Sequence, residues 1–217
     1  MQALSQDDQP KGLSLVHSIQ AQHIATQLPL ATAIFEKAHG DVTSSGSAYV
    51  PQSKLQEHLK KAQADAVAYF DEQADFGPAD RNAAAAKELK GTLAALAESA
   101  ILKNRHLLEA TLKDCVVNFT TTVQTETMDD SNQPRFVPRA RLEEFTQSAL
   151  VNALAAFSQE ESDWFVEPEG PNADLLKHTN IELRDLRRSC LDANTALLSK
   201  QVPCLYLEPR SQCLLSH

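Results

Sequence analysis

From Asp80 to Pro134 the chain contains no proline, and apolar residues recur along it at intervals of three, four and seven. That single stretch restricts the fold more than any other feature. The positions Leu89, Leu93, Leu96, Ala97, Ala100, Leu107, Leu112, Cys115 and Phe119 fall on one side of a helix with 3.6 residues per turn. With Asp80 as N-cap and an end near Thr121, the helix has roughly 40 residues and a length of about 60 Å. Such a length predicts an elongated, all-α architecture of antiparallel helices. Gly91 lies inside it, at a cost of up to about 1 kcal/mol relative to alanine, without breaking it. Asn104 falls where the apolar stripe continues and reads as a boundary residue, the rarer alternative being a polar residue that sets helix register.

A shorter helix precedes it. Val50-Pro51 marks its start, since proline fits the first turn of a helix, and Ser53 with Gln56 offers a capping box slightly further on. Leu55, Leu59, Ala62, Ala66 and Phe70 then form an apolar stripe, and Phe76-Gly77-Pro78 ends it. Upstream, residues 1–11 are polar and read as a disordered N-terminus. A helix is expected from Leu13 to Gln27, and a second begins at or is kinked by Pro29 and runs to His39-Gly40. Residues 40–49 have loop composition.

Downstream the pattern resumes. Thr125–Val137 reads as a loop, followed by a helix from Pro138 carrying Leu142, Phe145, Ala149, Ala153, Leu154 and Phe157. A loop over 162–172 holds the only tryptophan, Trp164. A last helix, about 173–200, carries Leu176, Leu183, Leu186, Cys190, Ala193 and Leu197, and 201–217 is an apolar, irregular tail. A shift of 87 residues brings Val50-Pro51 onto Val137-Pro138 and gives 8 identities in 21 positions. After an insertion of three, Leu93, Leu96 and Asn104 meet Leu183, Leu186 and Asn194. The organisation is thus a bundle over 12–125 and a further helical pair over 137–200 with the marks of a degenerate repeat, although amphipathic alanine-rich helices share apolar spacing in any case.

Composition narrows the function classes. Six glycines among 217 residues favour helices over sheets, and a formal net charge of −9 with mixed signs argues against nucleic acid as partner. No run of about 18 apolar residues suggests a membrane span, and the N-terminus does not read as a signal peptide. Cys115, Cys190, Cys204 and Cys213 are scattered, as expected of a cytoplasmic, reducing compartment. Cys213-Leu214-Leu215-Ser216 has the form of a prenylation box, but His217 follows it.

Catalytic chemistry finds no constellation. Gly40–Ser47 has neither the spacing nor the lysine of a phosphate loop. The histidines, His17, His23, His39, His58, His106, His178 and His217, form no His-Glu-x-x-His pair, and no Cys-x-x-Cys exists. The acidic pairs Asp71-Glu72, Glu143-Glu144 and Glu160-Glu161 read as solvated helix faces, and Glu182, Arg184, Asp185, Arg187 and Arg188 as a salt-bridged surface. No catalytic, cofactor-binding or metal-ligating residue is assigned.

One segment resembles a known family. Ala33-Ile34-Phe35-Glu36-Lys37-Ala38, then Pro51, Leu55, His58, Ala66 and Phe70, then Lys87-Glu88-Leu89, Lys103-Asn104 and Leu107, Leu108 and Leu112 are similar to the helical middle domain of guanylate-binding proteins. These are dynamin-related GTPases with atlastin relatives. The resemblance spans about 13–125. It implies a non-catalytic stalk or assembly module, with GTP and magnesium handled by a GTPase domain that this sequence does not contain. Protein partners are implied, either that GTPase domain or another copy, and membrane association enters through the resemblance alone. A free-standing helical adaptor or coiled-coil-like scaffold is the alternative.

The helical reading predicts a circular dichroism spectrum dominated by helix. It also predicts that Leu96→Asp destabilises the fold by several kcal/mol, about 3 or more by chemical denaturation, through burial of an unpaired charge.

Overall fold

A computed structural model describes residues 9–43, 49–74 and 79–201. Five helices account for most of them: α1 (Gln9–Thr43), α2 (Gln52–Gln73), α3 (Ala79–Thr127), α4 (Arg139–Ser158) and α5 (Ala173–Gln201). Among the described residues there is no strand, only one isolated antiparallel bridge between Met128 and Pro134. The all-α fold class follows directly. The chain divides into two compact units, Met1–Leu107 and Leu108–His217, and α3 contributes to both.

In the first unit α1, α2 and the first part of α3 enclose one core. Phe35, Leu55, Phe70, Leu89 and Leu93 are each about 1% exposed, and Leu59, Ala62 and Ala66 complete the α2 face. Burial of each large side chain stabilises the unit by about 1.5–3 kcal/mol. Leu96 packs half-buried against this core. His23 of α1 bonds the Gln73 carbonyl at the far end of α2 (2.7 Å), so α1 and α2 run antiparallel. Buried Gln20 donates to Asn82 Oδ1 (2.9 Å), and Asn82 in turn donates to the carbonyl of Ala74 at the α2 C-cap. One amide relay thereby ties all three helices at one end of the unit.

The second unit repeats the plan with the rest of α3, α4 and α5. Phe119, Val123, Leu150 and Leu183 are buried together, with Phe145, Leu154, Leu186 and Cys190 packed around them. The Cys115 thiol donates to the Ala153 carbonyl (3.1 Å), and Arg187 of α5 donates to Thr146 Oγ1 of α4 (3.2 Å). Val166, 1% exposed, folds the α4–α5 loop back by donating its N–H to the Phe157 carbonyl, while Trp164 meets the Phe157 ring edge-on at 6.3 Å.

The same joint opens both inner helices. Pro51 and Pro138 are the N-caps of α2 and α4, with nearly identical backbone angles (φ −49°, ψ 135° and φ −51°, ψ 131°) and no side-chain capping bond. In place of a cap, a distant asparagine holds the preceding valine. Asn104 Nδ2 donates to the Val50 carbonyl and Val50 N–H donates to Asn104 Oδ1, both at 2.8 Å. Asn194 and Val137 make the same pair of bonds at 2.8 and 2.9 Å. Both asparagines are 5% exposed. Asn104 is therefore not a boundary residue, and the capping box is not used: Ser53 and Gln56 lie within α2.

Several expected boundaries move. Pro29 neither ends nor begins a helix, because α1 runs through it. The proline forfeits one backbone bond, at about 3 kcal/mol, but Ile24 and Leu28 before it and Ala31 and Phe35 after it all pack on the first core. Gln9 to Lys11 are helical rather than part of an irregular N-terminus, and 41–43 belong to α1 rather than to the loop. Asp80 sits in the first turn of α3 instead of capping it. The helix also passes Thr121 to reach Thr127: the hydroxyls of Thr120, Thr121, Thr122, Thr125 and Thr127 each bond the carbonyl four residues back, and Phe119 and Val123 anchor this turn in the second core. The α4 stripe packs as expected, Leu142 and Phe157 buried and Phe145, Ala149, Ala153 and Leu154 half-buried on the second core, with Thr146 and Leu150 buried beside it. The N-terminal residues 1–8, the Phe76-Gly77-Pro78 turn and the tail 202–217 with its Cys204 and Cys213 lie outside the described residues.

The valine clamps give a local, measurable expectation. Asn194→Ala orphans a buried N–H and a buried C=O, and should cost about 2–4 kcal/mol. Asn104→Ala should cost less, because Val50 is partly exposed. Native-state hydrogen exchange should show each variant losing amide protection at its own valine and not at the other.

Candidate functional site

The polar groups with catalytic potential are dispersed. His58, His106 and His178 point outward on three different helices. The described residues contain no group of three His, Cys, Asp or Glu side chains able to hold a metal ion. Asp71-Glu72 and Glu160-Glu161 lie on exposed faces, and Glu143 pairs with Arg139 one turn away (2.7 Å). The predicted salt-bridged surface on α5 is mostly something else. Only Arg188 and Asp185 form an ion pair there (3.7 Å); Arg184 donates to Asn180, and Arg187 turns inward to Thr146.

Four titrating groups are displaced by their surroundings, among them Arg139, whose pKa is raised by its hydrogen bond to Glu143. Burial, and secondarily the nearby Lys103 ammonium, lowers the pKa of His39, whose ring stacks on Phe35 at 6.1 Å. Burial raises the pKa of the free thiols of Cys115 and Cys190, which disfavours the nucleophilic thiolate.

One described surface that can receive a partner lies in the second unit, between α3 and α5, while in the first unit Leu15, Val16, Ile19, Leu30 and Leu102 also face outward. An open groove of about 410 Å³ is lined by Leu112, Val116, Val117, Leu175, His178 and Thr179, with Glu109, Lys113 and Glu182 at its rim. Val117 on its wall is 53% exposed, and Ile181, one turn along α5 from His178, is 59% exposed. Nearer the helix ends a second, more apolar groove of about 240 Å³ lies over Phe119, Val123, Leu186, Cys190 and Leu197. Branched apolar side chains facing outward beside a groove suit a helix laid against them, the mode in which amphipathic helices are recognised.

Sequence periodicity misses this surface. Val117 and Ile181 fall outside both predicted stripes, and their signal is that same mismatch: a large apolar residue on an otherwise polar face. By contrast, the residues that carry the family resemblance mostly fill the cores. Phe35, Leu55, Ala66, Phe70, Leu89, Leu108 and Leu112 are buried, Asn104 holds Val50, and only His58, Lys87, Glu88 and Lys103 among its markers face outward with the flanking Ala33, Glu36 and Lys37. They specify packing rather than chemistry.

His39 makes the stability of the first unit depend on pH. Its folded pKa lies below the ordinary imidazole range, so protonation favours the unfolded chain. Its contribution is intact above that range and is lost as pH falls through the lowered value. Melting temperature should therefore drop more between pH 7.5 and pH 5 in the parent chain than in His39→Gln, and equal drops would show that the imidazole is not responsible.

Comparison of the chain with protein-family models, with curated proteins and with solved structures gives no match in any of the three.

Proposed function

We propose that this chain is a non-catalytic helical stalk or assembly module that acts by helix packing, of the kind that follows the GTPase domain in guanylate-binding-type proteins. The observation that carries the packing role is the α3–α5 groove of the second unit, with Val117 and Ile181 left exposed beside it. Both sit on well-formed helices whose other faces already fill a core, so their burial awaits a second surface. The family part of the reading rests on the resemblance over 13–125, whose Phe35, Leu55, Ala66, Phe70 and Leu89 fill the first core. In this reading GTP and magnesium belong to a GTPase domain outside the present sequence, the partner is that domain or another copy of the module, and the setting is the cytoplasm. No helix among the described residues is long and apolar enough to cross a membrane, and any membrane association would come through the assembled protein.

Two measurements test the proposal. An antibody to the α2–α3 region should detect a native product well above 23.8 kDa, with a phosphate-binding loop encoded upstream. A product at that mass would replace the stalk reading with a free-standing adaptor. Sedimentation of the purified chain, alone and mixed with a guanylate-binding-type GTPase domain, should show an association that Val117→Asp and Ile181→Asp each weaken at least about tenfold while leaving the melting temperature nearly unchanged. Association that is absent, or indifferent to both changes, removes the packing role.

A further inference from the structure

α1 carries two rows of side chains at helical spacing, and only one of them faces a core. Ile24, Leu28, Ala31 and Phe35 pack into the first unit beside buried Gln20. About 120° round the helix, a second row runs Val16, Ile19, His23, Thr26, Leu30 and Ala33. Its spacing alternates three and four residues, as the a and d positions of a heptad do. Val16, Ile19 and Leu30 in this row are 43%, 48% and 46% exposed, Thr26 and Ala33 are exposed, and His23 is half-buried. The same helix holds the longest uncharged stretch of the chain, since no Asp, Glu, Lys or Arg occurs from Gly12 to Phe35.

Charge decides what such a row can meet. A helix that lies on an anionic membrane carries Lys or Arg on its polar face, and α1 has none over this length. A second copy of a chain with net charge −9 is repelled wherever both copies present acidic groups. The α1 row is a place where neither does, and depletion of charge is the compositional mark of an interface core. Geometry points the same way. Antiparallel helices set a positions against d positions, and this row is symmetric about its midpoint between Ile24 and Ala25. A two-fold axis there places Ile19 against Leu30, Val16 against Ala33 and His23 against Thr26 of the other copy. Apolar then meets apolar and polar meets polar, whereas a slip of one heptad sets His23 against Ile19 or Ala33.

We propose that α1 is a self-association face, through which two copies of this chain pair as antiparallel helices about a two-fold axis beside Ile24 and Ala25. The contact is isologous, each copy giving the same patch. From Val16 to Ala33 it is about 27 Å long. One such helix pair falls at the small end of specific interfaces, below about 1,200 Å², so the dimer is reversible and forms at micromolar concentration. It depends neither on the α3–α5 groove nor on the family reading.

Charge exchange across the axis tests it. Sedimentation equilibrium of the full chain, from about 1 to about 300 μM, should show a monomer–dimer equilibrium. Ile19→Glu and Leu30→Lys, at half-exposed positions, should each weaken the dimer about tenfold or more while helix content and melting temperature stay near those of the parent. The combined Ile19→Glu/Leu30→Lys variant should dimerise more tightly than either single one, because the axis sets the new carboxylate against the new ammonium at both ends. Within one chain the two positions are about 16 Å apart along the helix, too far to pair. Val117→Asp/Ile181→Asp should leave the dimer unchanged. Absence of a dimer, or a dimer indifferent to the single changes, overturns the proposal. So does a combined variant weaker than both single ones, which would mean parallel pairing, or loss of the dimer in Val117→Asp/Ile181→Asp, which would assign self-association to the groove.

Discussion

Each unit depends on an asparagine side chain that takes both backbone polar groups of a valine some fifty residues away. A buried amide can donate and accept at once, and here it does so to the N–H and C=O of one residue, as a neighbouring strand would. The proline that follows has no N–H, and neither α2 nor α4 has a side-chain cap. The clamp therefore fixes where the helix begins, which way it leaves, and its register against the antiparallel helix that carries the asparagine. A one-turn slip would strand two buried backbone groups and an amide, a penalty of several kcal/mol that apolar packing alone does not impose.

Around these joints the two units diverge. The first is filled by two phenylalanines and a run of alanines that let α2 and α3 approach closely, and is sealed at one end by the Gln20–Asn82 relay. The second is built on larger side chains, Leu108, Leu112, Phe119, Leu142, Leu150, Phe157 and Leu183, with cross-ties from Cys115 to Ala153 and from Arg187 to Thr146. Both units leave large apolar side chains outward, Leu15, Val16, Ile19, Leu30 and Leu102 in the first and Val117, Val151, Ile181 and Leu198 in the second. The Glu126 pairs with Arg135 and Arg141 contribute little, since both arginines are exposed and Glu126 is only half-buried.

Legibility in the sequence follows the range of the interaction concerned. The α2 stripe is read correctly, since Leu55, Leu59, Ala62, Ala66 and Phe70 are all buried and a single helix face is a local property. Pro29 is misread because its cost is local while its compensation, the burial of Ala31 and Phe35, comes from other helices. The α3 terminus is misread for a similar reason: threonines have low helix propensity, but their hydroxyls are satisfied within the helix and Val123 is held in the core. On α4 the stripe is read correctly but misses Thr146, polar by type yet buried by its bonds to Leu142 and Arg187.

By itself the sequence determined that the chain is all-helical, the course of α2, and that Val-Pro and asparagine recur in a matched pattern. These depend on 3.6-residue periodicity and on backbone properties that each residue carries wherever it sits. Only the tertiary structure decided what the asparagines do and where grooves open between α3 and α5. Those outcomes depend on which side chains from distant helices meet.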